Sequence, residues 1–559
     1  MMRISGAELT IRLLEEQGIS CIAGIPGGCN LPLYDALSRS ERIRHVLARH
    51  EQGAGFIAQG MARASGRAAV FFATSGPGAT NTLTALADAK LDSVPIICIT
   101  GQVASSLIGT DAFQEVDIYG MSLPVTKHNF LVRSVEELLR CIPEAFNIAM
   151  SGRPGPVLID IPKDVQSGVI SLEKLPEPGR PEPPLAPDPL LIRRAADMCN
   201  ASERPVLFLG GGACTPERSR LARMLAEAHQ MPVTTSLQGL GVIPSEHEHS
   251  LGMLGMHGAR CTNLILEEAD LLLVVGARFD DRATGRMDRF CPRAKVIHID
   301  TDAGEVDKLR RAHIGIIADA GLSLGALLPQ LRKRDRSAWL LRVAELKRSQ
   351  PLVMQGADDP LTPYGIIRCA ASLVDEDAII TTDVGQHQMR AAQAYPFSRP
   401  RQWLSSGGLG TMGFGLPAAI GAALQRPEAT VLCFSGDGSL LMNIQELATA
   451  ADEQANVKII LCNNNGLGLV QQQQDLFFGG RLFASAYPGR VDFTRIAEGF
   501  GVPGVNISQS ARPMEELRKA LHARGPRLVQ VDIRAEDKVF PMVPPGAANL
   551  DMIGGEYHA

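Results

Sequence analysis

Thr430-Val-Leu-Cys-Phe-Ser435-Gly436-Asp437-Gly438-Ser439 is an apolar run that ends in a carboxylate flanked by glycines, and Val457-Lys-Ile-Ile-Leu-Cys462-Asn463-Asn464 ends the next such run in two amides. Short Val, Ile and Leu-rich runs bounded by Gly, Asp or Asn read as strands buried on both faces. Between the two lies a polar stretch long enough for the crossover that joins parallel strands. Neighbouring parallel strands would carry Asp437 and Asn464, 27 residues apart, to one sheet edge. A carboxylate, an amide oxygen and a backbone carbonyl of the following loop are hard donors of the kind Mg²⁺ takes, completed by water and phosphate oxygens. Gly438 and a helix opening near Asn443 would offer N–H groups to a diphosphate. Alone, Gly-Asp-Gly reads as a turn and Asn-Asn as a loop; together they point to a cation and phosphate site.

The same alternation of apolar run and amphipathic stretch extends along the chain: 69–73, 94–99 and 157–161, then 205–209, 271–275 and 296–299, then 378–382, 430–434 and 457–461. Repeated βα units of this kind predict an α/β fold of doubly wound parallel sheets. Seven prolines fall within residues 175–189, the composition of an extended linker. A softer break runs from the charged stretch 332–336 through one helix bearing Trp339 to the polar residues 355–363. Three domains follow, 1–174, 190–335 and 360–540, with a Pro/Gly-rich tail at 541–559. Phe71-Phe-Ala-Thr-Ser75-Gly76-Pro77-Gly78 in the first block mirrors Ser435–Gly438 in the third, so the outer domains are expected to be built alike. At the start, Ser5-Gly-Ala-Glu8 is a capping box that opens a helix ending near Gly18.

Composition narrows the function classes. With 559 residues, 55 Lys+Arg against 60 Asp+Glu and a net charge of -5, there is no basic footprint for nucleic acid. Eleven cysteines without a C-x-x-C pair, mostly inside apolar runs, read as reduced core residues of a cytoplasmic protein. No run approaches the roughly 20 apolar residues of a membrane helix. Fifty-five glycines suit loops that approach cofactor phosphates.

The Asp437 and Asn464 pairing resembles the signature of thiamine-diphosphate-dependent decarboxylases and synthases. That resemblance implies thiamine diphosphate and Mg²⁺, held by Asp437, Asn464 and the Gly466 carbonyl, with Gly438, Ser439 and Leu467 beside them. It also implies a glutamate that drives amino–imino tautomerisation of the cofactor pyrimidine; in His50-Glu51-Gln52-Gly53, Glu51 matches it. Without Asp437 and Asn464, Glu51 would read as a surface residue at a helix start. Pro77 and Asn81 would sit beside the pyrimidine, Gly385, Gln386 and His387 by the diphosphate, and Gly410 would receive the amino group while Met412 bends the cofactor. Gly408-x-Gly410-x-x-Gly413 also spells a dinucleotide fingerprint, but no convincing strand precedes it.

Further motifs extend the resemblance over nearly the whole chain: Gly24-Ile-Pro26-Gly27-Gly28, Gly109-Thr-Asp111-Ala-Phe113-Gln114, Gly152-Arg153-Pro-Gly-Pro156, Gly252-Met-Leu-Gly-Met256-His257 and Gly276-Ala-Arg278-Phe-Asp280-Asp281-Arg282. They are similar to the acetohydroxyacid synthase (acetolactate synthase) large catalytic subunits, isozyme I type. The family implies decarboxylation of pyruvate and condensation of the hydroxyethyl unit with a second 2-oxo acid, pyruvate or 2-oxobutyrate, in valine, leucine and isoleucine biosynthesis. Arg282 would hold the acceptor carboxylate unless a salt bridge to Asp280 or Asp281 occupies it, and Gly28, Phe113 and Gln114 would line the acceptor pocket. A redox-silent FAD is implied in the middle domain at Arg153, Gly210, Gly211, Gly212, Ser236, Leu237, Met256, His257, Gly276, Ala277, Arg278, Asp280, Asp300 and Asp319. Gln473 departs from the family's tryptophan at that position, which implies little preference for 2-oxobutyrate; the surrounding glutamine run otherwise reads as an unremarkable polar helix. The resemblance further implies a homodimer or dimer of dimers with the cofactor between chains, a small regulatory subunit, and a tail that closes over the site. An FAD-dependent pyruvate oxidase is the enzymatic alternative, and a non-catalytic protein of the same fold the other.

Overall fold

A computed structural model describes residues 2–554, which form three six-stranded parallel sheets and one antiparallel ribbon. The ribbon pairs β1 (Met2–Ser5) with β8 (Val169–Leu172). The first sheet holds β2 (Cys21–Gly24), β3 (Arg44–Leu47), β4 (Ala69–Ala73), β5 (Ile96–Gln102), β6 (His128–Leu131) and β7 (Val157–Pro162), in the order β3-β2-β4-β5-β7-β6. The middle sheet holds β9 (Pro205–Leu209), β10 (Val233–Thr235), β11 (Ser250–Met253), β12 (Leu271–Val275), β13 (Lys295–Asp300) and β14 (Ile314–Ile317), in the order β11-β10-β9-β12-β13-β14. The third holds β15 (Ile379–Thr382), β16 (Trp403–Ser405), β17 (Val431–Gly436), β18 (Val457–Asn463), β19 (Gly504–Asn506) and β20 (Arg527–Asp532), in the order β16-β15-β17-β18-β20-β19.

Each apolar run of the sequence lies on one of these strands, and β4, β9, β12 and β17 are buried at every residue. That is the pattern expected where helices cover both faces of a parallel sheet. Counted from its own first strand, the first and third sheets share the order 2-1-3-4-6-5, so the two Ser-Gly-x-Gly loops follow equivalent strands. The middle sheet has the order 3-2-1-4-5-6 of dinucleotide-binding folds. Ser5 caps the helix Gly6–Glu16 by a full capping box. The helix Ser337–Ser349 belongs to the middle unit: Trp339 is buried in its core and donates Nε1–H to the Pro205 carbonyl at 3.1 Å.

Two sequence expectations change. A strand does precede the Gly408–Gly413 fingerprint, β16, but it is three residues long and lies at the sheet edge rather than at the switch point where such fingerprints bind. The helix expected near Asn443 opens three residues later, at Glu446, and a further short helix starts at Asp437 itself.

The first and third units are welded by the helices Glu51–Ser65 and Gly415–Gln425, which share one core with both sheets. They touch backbone to backbone: a Cβ on Gly60 would lie 2.0 Å from the Ala418 carbonyl oxygen, and one on Gly421 1.9 Å from that of Ile57. Gly421→Ala is therefore expected to lower the melting temperature by several degrees, because an overlap costing roughly 3 kcal/mol outweighs the ~1 kcal/mol alanine gains in helix propensity. An unchanged melting curve would show that the helices can part freely.

Candidate active site

The carboxyl ends of β15, β17 and β18 face a cleft at the point where the strand order reverses. Gly385, Gln386, His387, Met412, Asp437, Gly438, Ser439, Asn464, Gly466 and Leu467 all line it. Gly410 and Gln473 are not part of that lining; Gly410 has φ 70° next to Val384, and Gln473 is half-buried on the helix Gly468–Phe477.

At the cleft floor three oxygens face one another without a donor. The Asn464 side-chain oxygen lies 2.8 Å from the Gly466 carbonyl oxygen and 3.1 Å from Asp437 Oδ1. Asp437 Oδ2 is turned away and accepts the Gly466 N–H at 2.8 Å. Either the amide turns over and donates to both neighbours, or a cation belongs among the three. Octahedral Mg²⁺ with ligands at 2.0–2.1 Å sets adjacent oxygens about 2.9 Å apart, which both spacings match. Among the described residues no group of three His, Cys, Asp or Glu side chains could hold a metal. A cation here would depend on amide and backbone oxygens, as the sequence implied. Burial pushes the Asp437 carboxyl up to about 6, a penalty on the ionised form that a cation would remove.

His387 is buried between Gly385 and Gly436, where any side chain would strike its ring. Burial drives its pKa down to about 3, so it is neutral. Gln386, at the cleft wall, donates to Gln472 Oε1 at 2.8 Å. Gln472 in turn donates to the Val539 carbonyl and accepts its N–H, both at 2.9 Å. Gln471 donates to the Ser485 carbonyl at 2.7 Å, and Gln474 bonds Phe483 and Ser485. Three of the four glutamines, Gln471, Gln472 and Gln474, thus have specific partners, so the run is not a plain polar helix.

A second edge forms on the first sheet. Glu51 opens its helix, where His50 caps the Gln52 N–H, and Glu51 Oε2 accepts from Asn81 Nδ2 at 2.9 Å. Its other oxygen lies over Gly78, 3.2 Å from where a Cβ would be, in the turn begun by Pro77. Gln114, at φ 60°, backs onto Gly76, and the Gly27-Gly28 loop rests on Thr74. Glu51, Pro77, Asn81, Gln114 and Gly28 therefore share this edge, with Phe113 88% exposed beside it. None of them lines the cleft described above.

Sequence reasoning missed Glu446. Fully buried in the third unit, it accepts the Arg49 N–H at 3.0 Å and the Thr449 hydroxyl at 2.7 Å, and it packs where Gly53 leaves room, so it anchors the start of the Glu51 helix. A lone Glu in a helical stretch carries no sequence signal of that role.

In the middle unit, every residue expected at FAD except Arg153 lies at or just beyond a strand's carboxyl end: Gly210–Gly212 after β9, Ser236 and Leu237 after β10, Met256 and His257 after β11, Gly276, Ala277, Arg278 and Asp280 after β12, Asp300 closing β13 and Asp319 after β14. The glycines are explained by the fold itself, since a Cβ on Gly210 would lie 2.2 Å from the Gly276 carbonyl oxygen. What fits an adenosine diphosphate is the strand-order reversal between β9 and β12, beneath these bare loops. Arg153 pairs with Asp302 and Glu305 at 3.0 and 2.8 Å, Asp319 with Arg218 at 2.6 Å, and His257 Nδ1 bonds the Pro541 carbonyl at 2.9 Å. Arg282 is exposed and 3.4 Å from Asp281, while Asp280 caps the backbone N–H groups of Arg282 and Ala283. The tail crosses these loops, bridging Gly285 to Ala548 and Met542 to Ile553; residues 555–559 of the expected lid lie outside the described residues.

Three family models match in succession: thiamine pyrophosphate enzyme N-terminal TPP binding domain at residues 4–121, central domain at 192–327, and C-terminal TPP binding domain at 383–531. The chain is 58% identical over 555 residues to acetolactate synthase isozyme 1 large subunit of Escherichia coli K12, covering 99% of this chain and 98% of that one. It is 44% identical to the isozyme 2 large subunit of the same organism, covering 98% and 99%, and 45% identical to acetolactate synthase 1, chloroplastic, of Oryza sativa, covering 98% and 87%.

Proposed function

The chain belongs to the acetolactate synthase large subunits of the thiamine pyrophosphate enzyme family, and from that membership we propose the following account of its chemistry. It is a carbon–carbon bond-forming transferase that releases CO₂ from pyruvate and joins the remaining two carbons to a second 2-oxo acid, in branched-chain amino acid biosynthesis. Thiamine diphosphate, when bound, supplies the nucleophilic carbon for that exchange. The observation that carries the reading is the trio of facing oxygens from Asp437, Asn464 and Gly466. They would hold Mg²⁺, and the amides that open the helix at Asp437 would meet the diphosphate.

Asn81 holds Glu51 Oε2 and fixes the carboxyl plane, which leaves Oε1 over Gly78 as the atom that would hold a proton for a nitrogen of the cofactor ring. The Gly410 carbonyl would accept from the ring's amino group, and Met412, which lines the cleft, would support the ring. Arg282 exchanges its loose pairing with Asp281 for the acceptor carboxylate, a change favoured by its exposure. Because Glu51 lies on another edge than the cleft, two copies bring the edges together. Exposed Phe113 and Phe483 support such a dimer, or a dimer of dimers. FAD is assigned to the crevice between β9 and β12 without a redox step, and a small regulatory subunit to the assembled enzyme. We read the tail as a cover for the cleft, tied to it through Met542, which accepts from Gln472, the partner of Gln386 at the cleft wall. Among the described residues no helix is long and apolar enough to cross a membrane, and the eleven cysteines are unpaired, which supports a reducing, cytoplasmic setting.

One assay tests activity and acceptor choice together. Purified protein with thiamine diphosphate, Mg²⁺, FAD, pyruvate and equimolar 2-oxobutyrate is expected to form both acetohydroxyacids, with the larger favoured less than about tenfold, because Gln473 offers no flat apolar wall to the extra methyl group. A stronger bias overturns the acceptor prediction. Dye reduction with no acetohydroxyacid would make the protein an oxidase instead.

A further inference from the structure

We propose that Asp92, with Asp88 and Arg63, is a positioning residue: from the first unit of the same chain it sets the backbone of the 405–413 loop so that Gly410 and Met412 meet the cofactor ring. The proposal rests on the thiamine diphosphate reading of the cleft.

Between β16 and the helix Gly415–Gln425, residues 406–413 form neither strand nor helix. The near half of this loop is instead tied to buried carboxylates. Asp92 Oδ1 accepts the Gly408 N–H at 2.7 Å, and Oδ2 accepts the Gly407 N–H at 3.0 Å and Arg63 Nη2 at 2.8 Å. Asp88 accepts the Thr411 hydroxyl at 2.9 Å and the Ser406 hydroxyl, and Ser406 Oγ accepts the Thr411 N–H at 2.8 Å. From the middle unit, Gln238 bridges Asp92 and the Ser405 carbonyl at 3.0 and 2.7 Å. The far half is tied to Asp383, which accepts the Gly413 and Gly415 N–H groups at 2.8 and 3.0 Å. Gly410 is bracketed by the ties at Gly408 and Thr411, and Met412 by those at Thr411 and Gly413.

The side chains of Asp88 and Asp92 are fully buried one helical turn apart and face a single guanidinium. Two buried carboxyl groups against one guanidinium are a poor way to join two units, for which apolar packing would serve better. Backbone N–H groups of an irregular loop, by contrast, can be fixed only by acceptors, and a carboxylate fixes several at once.

Thiamine diphosphate and inorganic pyrophosphate, each with Mg²⁺, separate the ring from the diphosphate. Their affinities for the holoprotein stripped of cofactor can be titrated by calorimetry. Wild type is expected to prefer thiamine diphosphate. Asp92→Asn turns an NH₂ against N–H donors, and Thr411→Val deletes one hydroxyl while keeping the branched shape. Each is expected to cut that preference at least about tenfold, as the loss of hydrogen bonds to a charged group should, while pyrophosphate affinity stays near wild type. Thr411→Val carries the test if Asp92→Asn fails to fold. An unchanged preference in the folded variants, or equal weakening of both ligands, overturns the proposal. A wild type that binds neither ligand overturns the cofactor reading, and the proposal falls with it.

Discussion

Glu51→Gln is expected to lower kcat for acetolactate formation by about 10²–10⁴-fold, the usual contribution of a positioned acid–base group, while leaving thiamine diphosphate affinity within a few-fold of wild type. The asymmetry follows from how the carboxyl is held. Asn81 donates to Oε2, so in the variant the carbonyl oxygen of the introduced amide keeps that place and its NH₂ takes the position of Oε1 over Gly78. An NH₂ there still makes a hydrogen bond to a ring nitrogen, which preserves binding. It cannot give up its proton and take it back, which is what turnover asks of this atom. The substitution keeps size and helix position, and Glu446 still anchors the helix start through the Arg49 N–H. Melting behaviour should therefore match wild type, and steady-state kinetics beside a cofactor titration provide the check. A folded variant with full kcat would remove Glu51 from the mechanism; one with lost affinity and intact kcat at saturation would make it a binding residue only.

The parts legible in the sequence are those with a local cause. Strands such as Leu271–Val275 and Pro205–Leu209 announce themselves because burial on both faces leaves no polar residue to interrupt them. Asp437 and Asn464 are legible because parallel strands bring loop residues at similar strand offsets to one edge. Short edge strands such as Trp403–Ser405 are not, since three residues make no pattern. Nor are the polar anchors. Glu446 meets Arg49 across 397 residues, Ser406 meets Asp88 across 318, and Gln472 meets Val539 across 67. Such pairs depend on how whole units dock, and a single Asp, Glu or Gln looks the same in sequence whether it is solvated or buried with partners. The strand order, which separates the middle sheet from the outer two, is equally a matter of tertiary pairing.

Asp437→Asn should abolish the response to Mg²⁺ while leaving the apoprotein at least as stable as wild type. In wild type, three acceptors converge and one belongs to a buried carboxylate whose pKa burial raises to about 6. The folded value lies above the unfolded 3.8, so ionisation in the fold is unfavourable; the penalty is present above about pH 6 and vanishes below the unfolded value. At about 1.4 kcal/mol per unit this amounts to some 2–3 kcal/mol at neutral pH in the absence of the cation. In the variant, the amide oxygen accepts the Gly466 N–H and the NH₂ donates toward the Asn464 and Gly466 oxygens. The cluster is then neutral and satisfied from within, with no charge to attract a divalent ion. Loss of an outer-shell partner already weakens metal sites roughly 10–100-fold, and loss of the sole charged ligand should exceed that. Thermal melting with and without Mg²⁺ and thiamine diphosphate distinguishes the outcomes. Wild type should gain stability on addition and Asp437→Asn should not, with its unliganded midpoint equal to or above that of wild type. A variant that still responds fully to Mg²⁺ would mean that Asn464 and Gly466 face each other for another reason, and that the cation lies elsewhere.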